Sequence, residues 1–217
     1  NYSWEVLQNM IERDISSAFK LRESDRYTKD PKLCSNTPAA FPKESCKKAI
    51  NWFEQNIDQA RAGWHGIKGK RLNNLELSIR IESQESLFNL CDAIERGLID
   101  YQKKYPLLDS KEIATYALNT DDILMCKWEP NNYYKRTHCE ISPNSQNLAL
   151  ARRVFSWMIY LNDIEHGGGT EFIYQGITTI PRAGDFIIFP SGPSHMHRGE
   201  NAPYETKYTI TGHYVYS

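Results

Sequence analysis

At 217 residues, with 26 Lys and Arg against 27 Asp and Glu, the chain is long enough for one domain with a sizeable core and an appendage. A net charge of −1 supplies no positive field for gripping phosphate backbones, so nucleic acid is not expected as a partner. No apolar run approaches the roughly 20 residues of a membrane span, so no membrane is expected either.

Five cysteines (Cys34, Cys46, Cys91, Cys126 and Cys139) are odd in number and irregular in spacing, with no C-x-x-C pair and no zinc-ribbon pattern. Reduced, mostly buried thiols are expected. No charged-then-apolar leader opens the chain, although it begins at Asn1 without methionine. Together these give a cytoplasmic protein as the expectation.

In chain order, Trp4, Leu7, Met10, Ile11, Ile15 and Phe19 recur at helical steps and predict a helix over residues 1–24. Pro31, Pro38 and Pro42 mark residues 25–42 as a loop crossing to the main domain. A helix is expected over 43–60, with Cys46, Ala49, Ile50, Phe53 and Ile57 on one side. Leu75, Leu77, Ile79 and Ile81 alternate with polar residues as a strand over 75–81. The longest helix is expected over 84–105, carrying Leu87, Leu90, Cys91, Ile94, Leu98 and Tyr101, with Pro106 as its stop. Asp109 and Glu112 have capping-box spacing for one more helical piece.

From Ile123 the texture changes to short strands between turn residues, at 123–129, 133–140, 153–161, 170–174, 176–180, 185–189, 194–198 and 206–216. Strands that short and that evenly spaced indicate a sandwich, barrel or jelly roll. The early helices would then pack on the outside of one sheet, giving a mainly β fold with flanking helices (α+β).

Within this β half, His138-Cys139-Glu140 is the chemically loaded triplet. In an extended strand, residues two apart share a face, so His138 and Glu140 converge while Cys139 points away. One later histidine would complete two imidazoles and a carboxylate, a set that leaves coordination positions open and suits non-haem Fe(II). His195 and His197 are two apart, so alternation does not choose between them. His65 and His166 fall in glycine-rich loops and are expected to be exposed. Gly167-Gly168-Gly169 lacks the lysine and helix opening of a phosphate loop. In the last strand Lys207, Thr209, Thr211, His213 and Val215 share one face, and Tyr208, Ile210, Tyr214 and Tyr216 the other. Either the polar face looks to solvent, or Lys207 points inward towards an anion that offsets its burial.

The order of segments goes further. Met158-Ile159-Tyr160-Leu161-Asn162-Asp163 comes first, then Gly167-Gly168-Gly169-Thr170-Glu171-Phe172, then Pro181 to Pro190, and then His197-Arg198-Gly199 with Lys207 ten residues beyond the histidine. In this order they resemble the catalytic half of prolyl-4-hydroxylase-like 2-oxoglutarate/Fe(II) dioxygenases, closely over 123–217 and more weakly back to about residue 41. The resemblance implies a double-stranded β-helix (jelly-roll) core, with residues 1–40 as N-terminal helix and linker and 41–217 as the dioxygenase domain.

It also implies roles. The family's distal histidine stands ten residues before the basic residue, which selects His197; with His138 and Glu140 it would hold the metal and form the catalytic centre. His195 would then be a second-shell partner or a plain strand residue. Lys207 would hold the distal carboxylate of 2-oxoglutarate, helped by Tyr160 and Thr170. Trp128 stands where a tyrosine commonly approaches the cosubstrate, and Tyr134 and Arg198 are the substrate-side candidates. The cofactors implied are Fe(II), 2-oxoglutarate and O2, with ascorbate as reductant. The implied reaction is hydroxylation of an aliphatic C–H, foremost a prolyl residue in a peptide or protein, with release of succinate and CO2.

Three departures stand out. The acidic ligand is Glu140 where most of the family has aspartate, although a retained carboxylate still favours hydroxylation. The segment before His138 is one residue longer. His213 occupies a place usually held by tryptophan and is expected to be core-facing or pocket-lining, not a ligand. The competing readings are a hydrolytic zinc enzyme, a non-catalytic jelly-roll binding module, a nucleic-acid demethylase on the same scaffold, and an oxygenase of a free amino acid or other small molecule. The first lacks H-E-x-x-H and leaves Lys207 unexplained; the demethylase lacks an arginine pair after the distal histidine.

Overall fold

Two antiparallel sheets of unequal size share the work of burying one another's faces. The computed structural model describes residues 32–64, 71–80, 89–109, 116–119, 123–141 and 148–216, and residues 32–217 make one compact unit. The large sheet has eight strands: β1 (Ser35–Thr37), β2 (Arg61–Trp64), β3 (Arg71–Ser78), β4 (Tyr116–Leu118), β5 (Leu124–Trp128), β6 (Arg153–Tyr160), β9 (Phe186–Pro190) and β11 (Lys207–Tyr216). They run in the order β1-β9-β6-β11-β5-β3-β2, with β4 paired to β11. The small sheet runs β10 (His197–Gly199), β7 (Thr170–Phe172), β8 (Ile177–Thr178).

Two helices, α1 (Lys43–Gln55) and α2 (Leu90–Lys104), cover one face of the large sheet. Cys46, Ala49 and Phe53 from α1 and Leu90, Ala93, Ile94 and Tyr101 from α2 meet Met125, Trp157, Ile159, Phe186, Ile188, Ile210 and Tyr214 in the main core. Burying each large apolar side chain contributes about 1.5–3 kcal/mol, which outweighs the mediocre strand and helix propensities locally. Gly97 lets α2 approach closely: a Cβ there would lie 2.2 Å from the Phe186 ring.

The opposite face of the same sheet carries the alternate residues. Tyr160, Ile187 and Phe189 pack there with Phe172 of the small sheet and Cys34. In β11 the period of two therefore divides Tyr208, Ile210 and Tyr214, turned to the helices, from Lys207, Thr209, Thr211 and His213, turned to the space between the sheets. Both faces of β11 are covered, so the solvated alternative for its polar face does not apply: Lys207, Thr209 and His213 are all buried. The result is the expected double-stranded β-helix with helices on one side.

Several boundaries differ from expectation. The loop expected over 25–42 contains β1, which pairs Ser35 with Ile188 and Thr37 with Phe186, so the crossing segment joins the sheet edge. The helix expected over 43–60 ends at Gln55, and Ile57–Gln59 is a 3-10 turn. The strand expected over 75–81 starts at Arg71, and the longest helix is described from Leu90. Residues 133–140 do not form a strand; they run extended and pair only at His138↔His197. Residues 194–198 are half 3-10 turn, because Pro193 sits at the first position of Pro193–His195, and β10 begins only at His197. The helix expected over 1–24, His65, and Glu112 of the Asp109/Glu112 box lie outside the described residues; Asp109 ends the 3-10 turn Pro106–Asp109. Among those described, no helix is long and apolar enough to cross a membrane.

Candidate metal centre and cosubstrate pocket

His138 and His197 face each other across a two-way backbone bridge, His138 N–H to His197 O at 2.9 Å and His197 N–H to His138 O at 2.8 Å. A hydrogen-bonded antiparallel pair puts both side chains on the same side, and the two rings lie 4.4 Å apart. An uninterrupted ladder would next pair Arg136 with Gly199. Instead the Gly199 N–H reaches the Tyr134 carbonyl at 2.8 Å, because residues 135–137 bulge outward. The bulge leaves the Arg136 carbonyl for His138, whose Nδ1 lies 3.0 Å from it.

His197 is held the same way, with its Nδ1 3.0 Å from the carbonyl of His195, also two residues back. Carbonyls only accept, so each Nδ1 carries a proton and Nε2 is the nitrogen that each ring can offer to a metal. Both Nε2 nitrogens stand 3.3 Å from the same atom, Glu140 Oε1. The backbone N–H groups of Glu140 and Ile141 both donate to the Ser191 carbonyl, which fixes where the carboxylate emerges. The ligand atoms of His138, Glu140 and His197 all lie within 4.8 Å of one another.

The other oxygen of Glu140 is held separately. His213 Nε2 and Arg153 Nη1 each lie 3.4 Å from Oε2, and the same Arg153 nitrogen donates to the Glu140 carbonyl oxygen at 3.2 Å. Burial alone would push the Glu140 carboxyl up, but hydrogen bonds from His138, His197 and His213 hold it well below the usual carboxylate range. The carboxylate in turn pushes His138 up against the opposing effect of burial. Phe172 and Phe189 wall His197, and Tyr134 lies tilted over His138 with ring centroids 4.1 Å apart.

Further along the inner face of β11 lies Lys207. Its Nζ donates to the Gly168 carbonyl at 2.8 Å and sits 6.0 Å over the Trp128 ring, its register partner on β5. Among the described residues it forms no ion pair, and burial pushes it down to about 8. Tyr160, opposite Thr209 on β6, places its hydroxyl 3.1 Å from Thr170 Oγ1 and 2.7 Å from Thr179 Oγ1. The Thr170 backbone N–H donates to that same Thr179 hydroxyl.

The fold thus gathers His138, Glu140 and His197 at one place, with Tyr134 against His138, joins Tyr160 to Thr170, and sets Lys207 beside Trp128. It does not gather Arg198, which alternates away from His197, is exposed, and pairs with Glu171 Oε2 at 2.6 Å on the outer face of the small sheet. His195 is also turned away. Its Nε2 donates to the Lys32 carbonyl and its Nδ1 meets the Ser194 hydroxyl, and only its backbone carbonyl serves His197. His166 is exposed, as expected, and packs against Tyr204. Arg153, Thr179 and Ser191 were not singled out from sequence. For Arg153 a signal existed, a charged residue opening an otherwise apolar strand; for Thr179 and Ser191 none did.

The donor set fits a non-haem ferrous ion: two neutral imidazole nitrogens and one ionised carboxylate, converging from one side. A buried ammonium on the inner face of β11, held by the Gly168 carbonyl, fits an anionic organic cosubstrate.

Comparison with known proteins agrees. Residues 125–215 match the 2OG-Fe(II) oxygenase superfamily. No curated protein matches the chain. Among solved structures, the fold is similar to the viral collagen prolyl hydroxylase of Paramecium Bursaria Chlorella virus-1 in its 2OG complex, at 19% identity and TM-score 0.59 over 85% of this chain and 97% of that one. A Pseudomonas putida prolyl-4-hydroxylase aligns at 17% identity and TM-score 0.61, covering 85% of this chain and 93% of that one. A Trichoplax adhaerens prolyl hydroxylase in complex with a hypoxia inducible factor oxygen degradation domain peptide fragment aligns at 13% and 0.58, covering 99% of this chain and 94% of that one. Over residues 125–215 the chain therefore matches the 2OG-Fe(II) oxygenase superfamily, whose implied cofactors are Fe(II) and 2-oxoglutarate.

Proposed function

We propose that this chain hydroxylates an aliphatic C–H, with a prolyl residue of a peptide or protein as the substrate, using Fe(II) held by His138, Glu140 and His197 and 2-oxoglutarate held through Lys207. The observation that carries the reading is one strand, β11, whose inner face bears both the buried ammonium of Lys207 and the imidazole of His213 that reaches Glu140. A carboxylate-binding end and a metal-binding end of one pocket are what a metal-chelating dicarboxylate needs.

When bound, the iron, 2-oxoglutarate and O2 together supply the oxidation that converts C–H to C–OH with release of succinate and CO2. The chain's own residues do the rest. Backbone carbonyls hold the Nδ1 protons of His138 and His197, which leaves Nε2 as the nitrogen each would give to the metal. Glu140 supplies the negative charge, kept ionised by its three histidine neighbours. Lys207, with the Tyr160 hydroxyl network and Trp128 beside it, orients the cosubstrate from its far end. Phe172 and Phe189 keep the His197 side dry.

Prolyl specificity is supported by the three structural neighbours named above, one of them bound to a peptide fragment, and by Tyr134, a flat aromatic wall at the rim beside His138. Five free cysteines fit a reducing compartment such as the cytoplasm. The test is to incubate the purified protein with Fe(II), ascorbate and 2-oxoglutarate and to follow succinate, then to screen proline-containing peptides for a mass gain of one oxygen atom. Succinate release that depends on Fe(II) and rises with one peptide class supports the reading. No 2-oxoglutarate turnover under any condition returns the chain to the binding-module alternative, and turnover with free amino acids alone moves the substrate away from peptides.

A further inference from the structure

We propose that His213 is a positioning residue for the metal centre: a hydrogen-bond donor that, with Arg153, holds Glu140 Oε2 and so commits Oε1 to the metal. The inference rests on the metal-site reading above and adds the residue that makes a glutamate usable there.

A glutamate side chain has one more rotatable bond than an aspartate, and its terminal torsion is broad. Left alone, a Glu140 carboxylate would swing, offering either oxygen or both. In the structure it does not have that freedom, because its two oxygens have different partners. Oε1 faces His138 and His197 Nε2, and Oε2 faces His213 Nε2 and Arg153 Nη1.

His213 differs chemically from the other two imidazoles. In His138 and His197 a carbonyl acceptor holds a proton on Nδ1, so Nε2 is the nitrogen that each can offer to a metal. The Nε2 of His213 faces an ionised carboxylate oxygen at 3.4 Å, and an ionised carboxylate accepts only. His213 therefore carries its proton on Nε2 and acts there as a donor, which removes that nitrogen as a ligand. Two histidines coordinate and the third braces.

The brace is rigid. His213 is 6% exposed and sits in β11 between β6, opposite Ser156, and the end of β4, with its carbonyl accepting from the Asn119 N–H at 2.9 Å. At the preceding position, Gly212 lies against the Trp157 ring, and a Cβ there would come within 2.5 Å of it. The strand therefore cannot shift towards β6 without displacing a fully buried indole. A long carboxylate ligand is fixed at its base by Ser191 and at its tip by this strand.

Anaerobic titration of the full chain with Co(II), read from the visible absorption of the bound ion, tests the assignment without turnover. His138→Ala is the control for the underlying reading and is expected to abolish the signal. His213→Leu removes the donor at similar volume; it is expected to keep one ion per chain, bound about 10- to 100-fold more weakly and with a shifted absorption band. His213→Gln, whose side-chain amide can donate to Oε2, is expected to restore most of the affinity and the band; it keeps the test valid if His213→Leu lowers the yield of folded protein. In a Glu140→Asp background, where the shorter carboxylate no longer reaches His213, the Leu change is expected to cost far less than in the native chain. Native affinity and an unshifted band in His213→Leu, or equal losses in Leu and Gln, would overturn the role of His213 while leaving the metal site standing. Failure of the unmodified chain to bind Co(II) through His138 would instead overturn the site itself.

Discussion

His138 and His197 are joined main chain to main chain, in an isolated two-bond bridge between a loop and the three-residue strand β10. Backbone hydrogen bonds therefore fix where the two rings emerge, and removing either ring leaves the bridge intact. Side-chain chemistry and fold can be separated experimentally at these positions.

His138→Ala and His197→Ala should each abolish metal-dependent turnover while changing stability by only about 1 kcal/mol, since partly polar side chains are lost and the bridge remains. His195→Ala should behave oppositely. It should keep turnover within a few fold, because only its carbonyl serves His197, but lose about 1–3 kcal/mol through the broken bond to Lys32. Metal stoichiometry and thermal melts on the three variants decide; turnover that is lost in His195→Ala and kept in His197→Ala would reverse the assignment.

Lys207→Ala should raise the 2-oxoglutarate requirement roughly 10- to 100-fold, the usual size of a lost charge-assisted hydrogen bond, with a smaller effect on metal affinity. Burial has pushed Lys207 down to about 8. Below that pH the free protein already holds the ammonium; above it a proton must be taken up for the dicarboxylate to bind. Binding of 2-oxoglutarate at fixed metal should thus be about tenfold weaker at pH 9 than at pH 7. Lys207→Arg should flatten that dependence, because a guanidinium does not deprotonate there. Calorimetry across pH with both proteins is the check, and the same slope in the arginine variant would remove Lys207 from the cosubstrate site.

Thr179 was invisible in the sequence and joins Tyr160 to the Thr170 backbone. Thr179→Val is isosteric and breaks both contacts, so it should raise the KM for 2-oxoglutarate several fold with kcat little changed. Tyr160→Phe should give a similar shift, and combining the two should add little, since both act through one hydroxyl network. Fully additive effects would show that they act separately.

Gly97→Ala would ordinarily gain up to about 1 kcal/mol in a helix interior. Here the new methyl would meet the Phe186 ring at 2.2 Å in a fully buried setting. Overpacking of this kind costs about 1–3 kcal/mol, so the variant should melt at a lower temperature despite its better helix propensity. A higher melting temperature would mean that α2 and β9 can slide apart.

The sequence by itself determined the chemistry available: a histidine and a carboxylate two residues apart, a histidine ten residues before a lysine, and a strand whose polar and apolar residues alternate without a break. It also determined which residues of α1 and α2 would be apolar on one side, because period and hydrophobicity are local properties. It did not determine which face of β11 looks inward, since alternation names two faces and only the helices on one side and the small sheet on the other decide that both are covered. Nor did alternation separate His195 from His197, which only the family spacing to Lys207 did: the two-residue rule assumes a strand, and Pro193 bends the chain into a 3-10 turn that sends the two rings apart. The bracing of Glu140 by Arg153 and His213, at distances of 13 and 73 residues along the chain, depends on how β6 and β11 pair, which only the folded sheet decides.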